Sequence, residues 1–181
     1  MMDQGRTLRL AGVARESIVD GPGLRFTVFC QGCPHHCPGC HNQSTHDFEG
    51  GTDADIDDIL SAIDKNPLLS GVTFSGGEPF CQPEGLYALA REIKNRNLHV
   101  TVFSGYTYEE LATMAQGKDN TGRAIAGLLD LTDMLIDGKF EMALKDLTLP
   151  FRGSSNQRII DMNRSREKGE IVLDDKYMNV I

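Results

Sequence analysis

Four of the five cysteines fall in one short run, Cys30-Gln31-Gly32-Cys33-Pro34-His35-His36-Cys37-Pro38-Gly39-Cys40-His41-Asn42. Three of them, Cys33, Cys37 and Cys40, have the spacing C-x3-C-x2-C. Thiolates are soft ligands, and close-set groups of them select iron–sulfur clusters, zinc or Cu(I). A cubane iron–sulfur cluster is normally held by four thiolates. Three on one loop would hold three irons and leave the fourth open, and an open position on a metal is where a substrate binds. Two other chemistries compete. Cys30-x2-Cys33 and Cys37-x2-Cys40 are paired like the knuckles of a zinc ribbon, which would make the chain a zinc-binding interaction module dependent on Cys30. Structural zinc pairs, however, usually lie about 12 to 20 residues apart. Here only three residues separate them. A disulfide framework fits less well still, because the cysteine count is odd and no secretory signal precedes the run.

Gly76-Gly77-Glu78-Pro79 is a second candidate. A Gly-Gly pair after a strand is most often a turn. Glycines also let backbone approach a ligand closely, and backbone carbonyls with the Glu78 carboxylate can accept from an ammonium group. Ser104-Gly105 and Asp137-Gly138-Lys139 are polar loop residues at strand ends. Asp20-Gly21-Pro22-Gly23 reads as a turn. Phe151 to Arg158 sets two arginines around small polar residues and could bind a carboxylate or a partner loop. Cys30 reads as a buried strand cysteine, Cys81 as core or loop filler, and His35 and His36 as exposed loop residues.

The elements that must position these residues alternate. Apolar patterning predicts strands over Leu8–Val13, Arg25–Cys30, Gly71–Ser75, Leu98–Phe103, Met134–Ile136 and Arg158–Asp161. Thr52 is read as the cap of a helix whose first turn carries Asp53, Asp55, Asp57 and Asp58, with Ile56, Ile59, Leu60 and Ile63 as its buried stripe. Pro83 opens a second helix, Thr107-x-x-Glu110 caps a third, and Thr121 to Leu131 reads as a fourth. Strands separated by helices imply parallel pairing through crossovers. The cysteine loop, Gly76-Gly77, Ser104-Gly105 and Asp137-Gly138 each follow a strand, so all four should collect on one rim, where such sheets bind ligands.

At 181 residues the chain suggests one core, with residues 1–161 as the folded unit and 162–181 as a charged C-terminal tail. A formal net charge of −8 argues against nucleic-acid and anionic membrane surfaces. No apolar run approaches a membrane span, and clustered cysteines without an export signal fit a reducing cytoplasm.

The cysteine spacing is that of the radical S-adenosylmethionine (SAM) superfamily. Together with Ser17-Ile18-Val19-Asp20-Gly21-Pro22-Gly23-Leu24-Arg25 and Gly76-Gly77-Glu78-Pro79, the sequence resembles the glycyl-radical-enzyme activating enzymes over roughly residues 8 to 161. Pro38-Gly39 and Phe151 to Arg158 look like the branch that acts on anaerobic ribonucleoside-triphosphate reductase. The resemblance implies an α/β fold, an open, incomplete (β/α)6 radical SAM barrel. It implies an oxidoreductase with a [4Fe–4S] cluster on Cys33, Cys37 and Cys40. SAM would lie against Gly39, Cys40 and His41, with its amino group on Gly76, Gly77 and Glu78, and with Ser104, Asp137 and Lys139 near its ribose or carboxylate. It implies a glycyl radical enzyme as partner and a one-electron donor such as flavodoxin. Activation of formate C-acetyltransferase is the alternative within the family.

Overall fold

The computed structural model describes residues 6–179. Seven strands form one sheet that does not close, in the order β3-β1-β2-β4-β5-β6-β7. They are β1 (Thr7–Ser17), β2 (Arg25–Cys30), β3 (Thr52–Asp55), β4 (Gly71–Gly76), β5 (His99–Phe103), β6 (Met134–Asp137) and β7 (Arg158–Asp161). The helices are α1 (Ile56–Asp64), α2 (Pro83–Asn95), α3 (Tyr108–Met114), α4 (Asn120–Leu131), α5 (Met162–Lys168) and α6 (Asp175–Met178). The expected open α/β architecture is therefore present. Parallel pairing is confined to the middle, β2-β4-β5-β6. Both flanks are antiparallel: β1 with β2 and β3, and β7 with β6.

Strand alternation explains the layers. Phe26, Val28 and Cys30 of β2, Val72 and Phe74 of β4, Val100 and Val102 of β5, and Leu135 of β6 join one apolar core with the inner stripes of α1, α2 and α4. The residues between them face the other way. At the base of that face stand Arg25, Thr27, Thr73 and Thr101, all fully buried. A parallel sheet covered on both sides is normally apolar on both. A polar second face marks a barrel interior, and it is this face that leads up to the rim.

Two local expectations need correcting. Thr52 does not cap α1. Thr52–Asp55 pairs along β1, and Asp55 caps the helix by accepting from the Asp57 amide at 2.7 Å. The chain beyond Asp161 does not trail away but turns back on the sheet. Asp161 caps α5, Gly169 ends it in the left-handed region, and Leu173 bridges to Ile160. Tyr177 and Met178 then pack on Met134, Ile136 and Ile159. Among the described residues no helix is long and apolar enough to cross a membrane.

Candidate functional site

The loops leaving β2, β4, β5 and β6 share one rim around a cavity of about 740 Å³. Cys33, Cys37, Cys40 and His41 stand on its wall with Gly76, Gly77 and Ser104.

The cysteine loop is fastened at its root by backbone. Gly32 donates to Thr45 at 2.8 Å and Cys33 to His46 at 3.2 Å. From the neighbouring strand end, the Gly77 amide donates to the Cys30 carbonyl and the Glu78 amide to the Gly32 carbonyl, both at 2.8 Å. This contact is why the pair is glycine. Gly76 has φ +92°, and a Cβ on Gly77 would overlap the Gly32 oxygen. Backbone on backbone cannot yield as a side chain would.

The thiols differ by position. Cys30 is buried in the apolar core, and burial pushes its thiol far above the ordinary range. Cys81 is pushed up to about 12, by burial first and then by Glu78. Both are therefore poor nucleophiles and poor ligands. Cys33 is also raised by burial, opposed by a hydrogen bond from the His35 backbone. A single zinc ion needs its ligands converging on one point. Among the described residues no three His, Cys, Asp or Glu side chains are grouped that way, and Cys30 faces the core. A cubane instead gives each cysteine its own iron. Cys33, Cys37 and Cys40 share one cavity wall, where each could meet its own iron.

Glu78 does not line the cavity. It lies behind the wall with no exposure, and its carboxylate is engaged by the protein. Ser104 Oγ donates at 2.9 Å and the Phe80 amide at 3.0 Å to Oε1; the Gly105 amide donates at 2.8 Å to Oε2, which also pairs with His35 Nε2 at 2.7 Å. His35, expected to be exposed, keeps only 5% of its side chain accessible and stacks edge-on against Tyr106. Asp137 is likewise removed from the cavity. It accepts from the Tyr108 amide at 2.7 Å and from both Nε and a terminal nitrogen of Arg158. Lys139 is exposed and Gly39 lies beneath Met142, whose methyl occupies the space a Cβ would need. Of the residues expected at the site, Cys33, Cys37, Cys40, His41, Gly76, Gly77 and Ser104 stand on the cavity, and Gly39, Glu78, Asp137 and Lys139 are off it.

Other parts of the lining come from two stretches whose roles the sequence leaves open, and Phe140 and Leu147 are not singled out by the sequence at all. Ile18, Val19 and Asp20 approach from the turn before β2. Phe140, Leu147, Phe151, Arg152 and Gln157 come from the segment between β6 and β7, and Phe140 meets the His41 ring at 5.8 Å. The two arginines of the Phe151 to Arg158 stretch are the available signal, and one of them reaches the wall.

Residues 19–160 match the 4Fe-4S single cluster domain family. The chain belongs to that family. The anaerobic ribonucleoside-triphosphate reductase-activating protein of Escherichia coli is 35% identical to this single-cluster chain over 149 residues, 77% of this chain and 90% of the relative. The pyruvate formate-lyase-activating enzyme of Clostridium pasteurianum is 36% identical over 106 residues, covering 55% of this chain and 44% of the relative. The solved structure of QueE from Escherichia coli overlays 56% of this chain and 53% of its own, at a TM-score of 0.44 and 17% identity.

Proposed function

We propose that this chain is a radical SAM activating enzyme that generates a glycyl radical on anaerobic ribonucleoside-triphosphate reductase. The observation that carries the reading is the placement of the three C-x3-C-x2-C thiols on one cavity wall beside the Gly76-Gly77 backbone, in a chain of the single-cluster family. Relatives covered to 90% of their length carry the reductase-activating name, whereas the formate-lyase-activating relative is covered to 44%.

Cys33, Cys37 and Cys40 would hold a [4Fe–4S] cluster, with three thiolates where a cubane normally has four. The chemistry such a cluster would supply is one-electron reduction of SAM to methionine and a 5′-deoxyadenosyl radical, the species that would take hydrogen from a glycine Cα of the partner. The chain's own residues bind, orient and exclude water. Gly76 and Gly77 put backbone on the cavity wall, where their carbonyls would accept from the SAM ammonium. Glu78 holds the cysteine loop, the β4 loop and the β5 end in one register through His35, Phe80, Ser104 and Gly105. Phe103, Ile136 and Phe140 give the cavity dry walls. Electrons come from an external one-electron donor of the flavodoxin kind, and the setting is the cytoplasm.

The test is anaerobic reconstitution with iron and sulfide, then EPR of the reduced protein with and without SAM. The expected result is a cubane signal that shifts on adding SAM, unchanged in Cys30→Ala. Incubation with the reductase should then give a glycyl radical signal, and with the formate lyase none. A cluster blind to SAM would overturn the reading, and a radical on the lyase alone would transfer it to the other branch.

A further inference from the structure

Two arginines of this protein are almost wholly buried without a carboxylate partner among the described residues, and they differ in one respect. Arg25, at the barrel base, is saturated. Its guanidinium donates to the Val72 carbonyl at 2.7 Å, Thr73 Oγ1 at 3.0 Å, the His99 carbonyl at 3.0 Å, Thr101 Oγ1 at 3.1 Å and the Pro22 carbonyl at 3.2 Å. Arg152, on the cavity wall, is not. It is 8% exposed, and its terminal nitrogens reach only the Gln157 carbonyl at 3.3 Å and the Tyr177 carbonyl at 3.5 Å. Its Nε–H has no partner among the described residues. Asp146, the carboxylate whose field reaches it, is turned to the Thr148 amide and hydroxyl at 2.9 and 2.6 Å. A guanidinium has five donors in a planar fork that matches a carboxylate. Burying it half-used costs free energy unless something else completes the set.

We infer that Arg152 is the anchor for a carboxylate carried on the polypeptide segment of the partner that enters this cavity. Arg152 is tied to Gln157, just before β7, and to Tyr177 of α6. The segment that carries it also reaches the cysteine loop, where Phe140 meets His41 and Met142 covers Gly39. The SAM carboxylate is therefore the competing occupant, and SAM affinity in the Arg152 variants separates the two. The exposed apolar border of the cavity argues for a polypeptide rather than a small anion. Ile18, Val19 and Leu147 border the cavity and are all strongly exposed. Apolar surface of that kind is what a peptide chain would cover. The whole chain carries −8, so an acidic segment is drawn here by a local cation and not by the overall field.

The inference rests on the proposed function, and the experiment separates the two. Glycyl radical formation is measured against reductase concentration for the wild type, Arg152→Gln and Arg152→Lys, alongside SAM binding and melting temperature. Loss of a charge-assisted fork predicts a KM for the reductase raised roughly tenfold to a hundredfold in Arg152→Gln. Arg152→Lys should recover part of it, because a point charge replaces the fork. SAM dissociation constants and melting temperatures should match the wild type. If Arg152→Gln does not fold, Arg152→Lys carries the same KM comparison alone. An unchanged KM in a working system overturns the inference by itself. So does a loss of SAM affinity that tracks the loss of activity, or a KM change accompanied by an equal fall in melting temperature. A wild type that makes no radical on the reductase overturns the functional reading and this inference with it.

Discussion

Glu78 is the residue that most changes the reading of the Gly-Gly-Glu-Pro segment. A carboxylate in such a loop can serve a ligand or the loop itself, and its four partners here are all protein groups. Glu78→Gln replaces two acceptor oxygens with one acceptor and one donor, so at least one amide or hydroxyl now faces another donor. Breaking up a buried, charge-assisted set of this kind costs about 3 kcal/mol. The expected outcome is a marked drop in unfolding free energy, with residual SAM affinity in the fraction that stays folded. Weakened SAM binding at unchanged stability would instead place the carboxylate on the ligand.

At the scale of elements, the junction of β2 and β4 is legible in the sequence and the flanks of the sheet are not. Glycines at a strand end, a cysteine loop on the next strand and helical stripes between them are all local patterns. β3 is hidden because Thr52–Asp55 is acidic and partly exposed, without apolar alternation. Its place comes from pairing with β1 and from Arg9, which reaches Asp53 at 3.0 Å. Asp137 is legible at its strand end, but the way it faces is not. β6 sends Met134 and Ile136 to the cavity side and Leu135 to the helices, and Asp137 follows Leu135 out of the cavity to meet Arg158. His35 reads as exposed because nothing local announces a partner 43 residues away. The β2–β4 junction yields its own prediction. Gly77→Ala drives a Cβ into the Gly32 carbonyl and pushes the cysteine loop off its anchor. Disturbing the support of metal ligands typically costs about ten- to a hundredfold in affinity. Reconstituted Gly77→Ala should therefore lose its iron to a chelator roughly tenfold more readily than the wild type. Gly12→Ala, where a Cβ meets nothing within 4 Å, should retain iron normally.

The whole molecule divides its polar groups between two ends of one barrel. The rim carries the thiols and the cavity. The base carries Arg25, Thr27, Thr73 and Thr101, and the cavity reaches down to it at Asp20, which accepts from Thr27 at 3.2 Å and from Ser17 at 2.6 Å. A buried cation at the base constrains its neighbour His99. Burial first, and then the Arg25 guanidinium, hold the His99 imidazole down at about 4, with Lys94 acting the same way and Asp133 and Asp161 opposing. The folded protein keeps this ring neutral where the unfolded chain, at its ordinary 6.5, would protonate it. The unfolded state therefore binds the extra proton between those values, and stability falls as pH drops from 6.5 towards 4. The ring is only partly buried, so after discounting for solvent screening the contribution is on the order of 2 kcal/mol by the bottom of that window. His99→Gln keeps a polar group near Thr101, which His99 Nδ1 meets at 3.3 Å, and removes the titration. Denaturant unfolding at several pH values should show a shallower acid slope in His99→Gln than in the wild type across 6.5 to 4, and the same slope above it. Parallel curves throughout would mean that the ring takes its proton in the folded state as readily as in the unfolded chain.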